Sequence, residues 1–159
     1  MINNKIYSFD IFDTCLVRKC GSPDHLFRIW ADRALGKVAL SYRKELINSR
    51  LRAVKAAMKK SGKEDVTLDE IYRHLPLDSF QNLTIPELKR LELEVERENL
   101  SPVRQVLDLI REYRKKSKRI LFISDMYLPS DFLKSLLQRF GFWEEGDRIY
   151  VSGEIGLTK

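Results

Sequence analysis

The alternation of apolar and polar positions divides the chain into a few strands and many helices. In Lys5–Thr14 (KIYSFDIFDT), Ile6 and Phe12 fall on one alternating face and Tyr7, Phe9 and Ile11 on the other. Such a run predicts a strand buried on both sides of a parallel sheet. Arg119–Ser124 (RILFIS) is a second apolar run, and Arg148–Ser152 (RIYVS) predicts a third strand. Elsewhere the period is helical. Ser22-Pro23-Asp24 reads as a helix start, followed by Leu26, Phe27, Trp30, Ala31 and Ala34 at helical spacing. A second helix is predicted from about Ser41 to Ser61, stopped by Gly62. Thr67-Leu68-Asp69-Glu70 and Thr84-Ile85-Pro86-Glu87 are capping-box patterns opening two more helices, the second running to about Leu100. Ser101-Pro102 restarts a helix through Tyr113, and Ser130–Phe140 supplies one between the last two strands. Thr14–Gly21 suits a turn or a small hairpin flap.

The order of these elements predicts the architecture. Strands two and three are joined by one crossover helix of ordinary length, whereas strands one and two are separated by roughly a hundred mostly helical residues. The helix from Ser101 can make the first crossover. The expected fold is α/β, with a parallel-sheet core from residues 1–19 and 101–159 and a helical insertion, 20–100, standing as a cap over the mouth of strand one. In a parallel sheet, strand ends converge on one edge, where open α/β sheets place their sites.

Composition narrows the partners. The 159 residues hold 29 Lys+Arg against 23 Asp+Glu, a net charge of +6, with no aromatic-interleaved basic stripe. The densest basic cluster, Arg114–Arg119, reads as a solvated helix end. A small anionic or phosphorylated substrate fits this charge better than nucleic acid. Cys15 and Cys20 match no CxxC or zinc spacing, and His25 and His74 have no partner at metal-ligand spacing. With no signal peptide and no apolar run of membrane-spanning length, reduced thiols in the cytoplasm are expected. Trp30 and Tyr42 read as aromatics of the cap core, and Arg18 and Lys19, in the flap, as cations able to face an anionic substrate.

Chemistry-bearing residues follow all three strands: Asp10 with Thr14, Ser124 with Asp125, and Lys159. An acidic residue inside an apolar strand is costly unless paired, so Asp10 is either a polar strand end beside turn residues Asp13 and Thr14, or a carboxylate placed to react. A carboxylate, hydroxyls and an ammonium gathered at one edge suit nucleophilic attack on a phosphoryl group.

Phe9–Leu16 (FDIFDTCL) resembles motif I of the haloacid dehalogenase-like (HAD) hydrolase superfamily. Ile123–Leu128 (ISDMYL) is similar to its motif II, and Ser152–Lys159 (SGEIGLTK) to the run into its motif III lysine. The resemblance implies a Rossmann-like core with a helical cap inserted after strand one, and a Mg²⁺-dependent hydrolase in which Asp10 becomes transiently phosphorylated. By position, Thr14 and Ser124 hold phosphoryl oxygens, Lys159 neutralises charge, Asp125 borders the substrate, and Asp10 with the Phe12 carbonyl faces the metal.

Two departures from the family pattern stand out. The residue two after the nucleophile, a general acid/base in the phosphatases, is Phe12 here; the acid lies one position later at Asp13. Side chains two apart on a strand share a face and those three apart do not, so Asp13 can substitute only if the chain coils after the strand. The dehalogenase branch also carries an aromatic at the Phe12 position, and there the nucleophile attacks carbon without metal. Second, family members continue past the motif III lysine through further strands whose motif IV acids complete the Mg²⁺ site. A truncated core is therefore expected, with strand one at an open sheet edge available to a second copy. The readings carried forward are a phosphohydrolase of a small anionic metabolite, a non-catalytic binding or assembly module, and a dehalogenase-like hydrolase.

Overall fold

The computed structural model describes residues 5–36, 39–80, 82–116 and 119–156. Three parallel strands, β1 (Ile6–Asp10), β4 (Arg119–Ser124) and β5 (Arg148–Val151), form a sheet in the order β1-β4-β5. Ile6 pairs with Arg119 and Asp10 with Ile123, while Ser124 pairs with Val151. The crossovers are α5 (Arg104–Lys115) and α6 (Ser130–Arg139), and both pack against one face of the sheet. There Tyr7 stacks on Tyr113 at 4.1 Å and Phe122 on Trp143 at 6.0 Å. The other face carries Ser8, Asp10, Leu121, Ile123 and Tyr150, none of them buried.

This corrects the expectation that the first strand is buried on both sides. Ile6 is 60% exposed, because β1 lies at an edge of the described sheet and only one of its faces meets a helix. The apolar residues read as its continuation, Ile11 and Phe12, leave the strand and turn into the core instead, both of them buried.

A second correction concerns Ser101-Pro102. Rather than opening a helix, Leu100–Pro102 is a short strand, β3, paired antiparallel with β2 (Leu16–Arg18). Pro102 sits at the strand end, where its missing N–H leaves no gap in the ladder. The flap is thus a two-stranded ribbon, and the helical insertion springs from its tip.

That insertion consists of α1 (Pro23–Leu35), α2 (Leu40–Ser61), α3 (Leu68–Arg73) and α4 (Ile85–Glu98). At the start of α3 the capping box forms as the sequence predicts: Thr67 Oγ1 accepts the Glu70 N–H, and Glu70 accepts the Thr67 N–H at 2.7 Å. The insertion has its own apolar cluster, built on Leu26, Trp30, Leu46, Ile71, Leu88 and Val95. Trp30 is fully buried and donates its indole N–H to the Leu88 carbonyl. Tyr42 is not a core residue: it is 44% exposed and edges onto Phe80. Tyr127, in the loop after β4, and Leu93, on α4, pack against both clusters. No described helix is long and apolar enough to cross a membrane.

Candidate active site

Asp10 ends β1, and its register partner on β4 is Ile123, so Ser124 lies one residue further along the neighbouring strand. With strands about 4.8 Å apart and a rise of about 3.3 Å per residue, the two Cα atoms are about 6 Å apart. Both residues therefore reach the same C-terminal edge. The pleat assigns Asp10 to the open face with Ile123, and Ser124 to the packed face with Phe122. The chain beyond Asp10 leaves the strand.

That chain coils. The Cys15 and Leu16 N–H groups both donate to the Ile11 carbonyl, and the Asp13 N–H donates to the Leu16 carbonyl. Asp13 has φ 57°, a left-handed conformation that Asp tolerates better than most side chains. The local coil that Asp13 needs in order to leave the strand's alternation is present. Asp13 is exposed and Thr14 half-buried on this coil, beside the strand end. Asp10 accepts the Ile11 N–H at 2.8 Å. Its carboxylate is also felt by Cys15, whose thiol is pushed up to about 12, first by burial and then by the Asp10 charge. Cys15 is consequently an inert core thiol.

Phe12 does not reach into solvent at the strand end. Its ring is buried, with the Arg18 guanidinium 4.6 Å above it. Arg18 in turn bonds Glu96 of α4 at 2.9 Å, and Lys19 bonds the Glu98 carbonyl. The two flap cations expected to face a substrate are thus engaged with the end of α4. Glu96 is raised above the usual carboxylate range by burial, an effect only partly offset by Arg18.

Ser124 is 1% exposed, and its hydroxyl has no hydrogen-bond partner among the described residues. The same holds for Ser152, 3% exposed, which follows the Ser124 partner Val151 and heads α7 (Ser152–Ile155). An unsatisfied buried hydroxyl costs about 1–3 kcal/mol, and two such hydroxyls sit at adjacent strand ends, one closing β4 and one directly after β5. Asp125 is exposed and lines a cavity of about 100 Å³ with Met126, Tyr127 and the insertion's Val54, Met58 and Val66. The insertion meets this edge directly. Leu68 N–H donates to the Tyr127 carbonyl at 2.8 Å, and Gly153 is so close that a Cβ there would lie 2.7 Å from the Val66 oxygen.

No protein-family model matches the sequence, and no curated protein does. Solved structures do match. A HAD phosphatase from Thermococcus onnurineus is 16% identical, with a TM-score of 0.56 over 98% of this chain and 65% of that one. A dehalogenase is 13% identical, with a TM-score of 0.51 over 99% of this chain and 66% of that one. The chain has the HAD-like fold. It spans less than two thirds of the length of either protein.

Within the HAD-like fold, Asp10, Thr14, Ser124 and Asp125 all lie at the C-terminal edge of the sheet, on β1, β4 and the segments leaving them. Lys159 lies outside the described residues. Among the described residues no three carboxylate, imidazole or thiol groups come together as a cation site. Asp10 and the Phe12 carbonyl alone do not make a Mg²⁺ shell, which takes six oxygens.

Sequence reading missed two features of this HAD-like chain. Ser152 repeats the signal that marked Ser124, a hydroxyl closing a run that opens Arg-Ile (RILFIS, RIYVS), and could have been found by that parallel. The other is a buried charged cluster. Arg50 of α2 and Glu92 of α4, both 0% exposed, form a bidentate pair at 2.9 and 2.7 Å. Tyr72 donates to Glu92 at 2.6 Å, and the Tyr127 ring lies 5.0 Å from the guanidinium. Burial pushes the Tyr127 phenol well above its ordinary range, and the Glu92 charge adds to this. Burial works against the charged form of Arg50, but Glu92 more than offsets it.

Proposed function

We propose that the chain carries the reactive half of a HAD-type hydrolase that transfers a phosphoryl group from a small anionic substrate to Asp10. An Asp10 oxygen forms the new P–O bond while the leaving-group oxygen departs with its bonding pair and takes a proton from Asp13. Water, giving a proton back to Asp13, then attacks the phosphorus and breaks its bond to the Asp10 oxygen, returning the carboxylate and releasing inorganic phosphate. Thr14 and Ser124 donate hydrogen bonds to the non-bridging oxygens, Lys159 offsets the charge, and the helical insertion caps the pocket and excludes water. The observation that carries this reading is the Ser124 hydroxyl, buried and unpartnered one residue beyond the register partner of a strand-end carboxylate.

Because Phe12 is buried where the family places its acid, proton delivery is weak and good leaving groups are favoured. Hydrolysis of acetyl phosphate is expected to exceed that of an alkyl phosphomonoester by about a hundredfold or more. Parallel assays of phosphate release, with Mg²⁺ and with EDTA, measure both this ratio and the metal requirement. Equal rates on the two substrates would exclude the assignment of the acid position. The same buried Phe12 favours a second reading, carbon-centred hydrolysis by Asp10, whose signature is halide release from a 2-haloacid in EDTA.

A further inference from the structure

The cavity of about 100 Å³ that Asp125 lines lies where the insertion meets the loop leaving β4. Most of its lining is apolar: Val54 and Met58 of α2, Ile71 of α3, and Met126 and Tyr127 of the loop. Asp125 itself is two residues beyond the register partner of Asp10. With strands about 4.8 Å apart and a rise of about 3.3 Å per residue, the Asp10 and Asp125 Cα atoms are about 8 Å apart. A group bonded to a phosphorus held at Asp10 can span that distance.

Two properties limit what enters. The first is size. Pockets for drug-sized ligands run to about 300–1,000 Å³, and an apolar cavity of about 150 Å³ takes a benzene ring. A space of 100 Å³ takes less than that ring. Its walls are pinned together, since the Leu68 N–H donates to the Tyr127 carbonyl at 2.8 Å. A Cβ on Gly153 would lie 2.7 Å from the Val66 oxygen and 3.0 Å from that of Met126, so the insertion and the loop are already in close contact there. The second property is charge. Glu64, Asp65 and Asp125 line the cavity, and among the described residues no lysine or arginine does. A second anionic group would enter among carboxylates.

We infer, building on the phosphoryl transfer proposed for Asp10, that this cavity receives the leaving group of the substrate, and that the group is small (about four non-hydrogen atoms), largely apolar and without a second negative charge. Short acyl and alkyl phosphates fit this description. Nucleotides, sugar phosphates and phosphorylated carboxylic acids do not.

Alkylphosphonates, whose P–C bond is not hydrolysed, separate binding from turnover. In phosphorus NMR titrations of the full chain with Mg²⁺, propylphosphonate should bind about tenfold more tightly than methylphosphonate, from about fourfold per buried methylene. Hexylphosphonate should bind no more tightly than propylphosphonate. Replacing the terminal methyl of propylphosphonate by a carboxylate, as in 3-phosphonopropionate, should weaken binding about tenfold. Asp65→Asn should narrow that last gap severalfold, and Met58→Ala should let hexylphosphonate bind more tightly than propylphosphonate. Asp65 and Met58 are half-buried, and circular dichroism checks that both variants fold. Three results would overturn the inference while leaving phosphoryl transfer at Asp10 standing: methylphosphonate binding with no gain for propylphosphonate; hexylphosphonate binding the unaltered protein more tightly than propylphosphonate; or equal affinity for propylphosphonate and 3-phosphonopropionate. Binding of none of the four phosphonates would overturn the phosphoryl assignment, and this inference with it.

Discussion

Glu92→Gln lowers the unfolding free energy by about 3–5 kcal/mol, the usual loss when one partner of a fully buried ion pair is removed. The pair is enclosed on all sides, and three aromatic rings, Phe27, Tyr72 and Tyr127, surround the Arg50 guanidinium at 5.0–5.4 Å. Removing the carboxylate leaves that cation in a dry site and takes the negative charge from beneath the Tyr72 hydroxyl. Urea denaturation reads the loss directly. Replacing both partners together, Arg50→Met with Glu92→Leu, should restore most of the stability, because no uncompensated charge then remains. The damage is also expected to travel. Tyr127 packs on this cluster and follows Ser124 by three residues, so Glu92→Gln should speed amide exchange in 124–128 more than in α5. A Glu92→Gln variant within about 1 kcal/mol of the parent would show that the buried pair does not hold the insertion together.

Asp10→Asn abolishes phosphoryl transfer, by about a thousandfold or more, if the carboxylate is the nucleophile. Asp10 is exposed at a strand end, so its loss leaves the core intact and the fall in rate cannot be assigned to unfolding. Ser124→Ala provides the contrasting case. Removing a buried hydroxyl that has no partner should stabilise the protein by up to about 1 kcal/mol. Removing one donor to the transferring oxygens should slow the reaction by about a hundredfold. Stability and activity moving in opposite directions at one residue is the mark of a group kept for a ligand and not for the fold. If Ser124→Ala is instead destabilising and leaves the rate unchanged, the hydroxyl belongs to the packing.

Much of this arrangement could be read from local pattern. The RILFIS strand, the capping box at Thr67, the simpler N-cap at Thr84, and the insertion between the first two strands of the sheet are signalled by residues within a few positions of one another. What escaped reading depends on partners distant in the chain. Leu100–Pro102 is a strand only because Leu16–Arg18 lies beside it, and a Ser-Pro pair taken alone says helix start. Arg50 and Glu92 are 42 residues apart on charged helices, where such side chains normally face solvent, and nothing local marks them as buried. The exposure of β1 is likewise a property of its place in the sheet and not of its apolar sequence. At the candidate site, residue types and order were legible from Asp10, Thr14, Ser124 and Asp125. The coil that moves Asp13 out of the strand's alternation, and the burial of Phe12, were not.

The central claim is that Asp10 and Ser124 serve one anion. A crystal structure of the protein grown with orthovanadate, a mimic of the phosphoryl group in transfer, tests it most directly. The account predicts the vanadium beside an Asp10 oxygen, with one of its own oxygens within hydrogen-bond distance of Ser124 Oγ. An anion bound elsewhere, with Ser124 Oγ bonded to a backbone carbonyl, would contradict it.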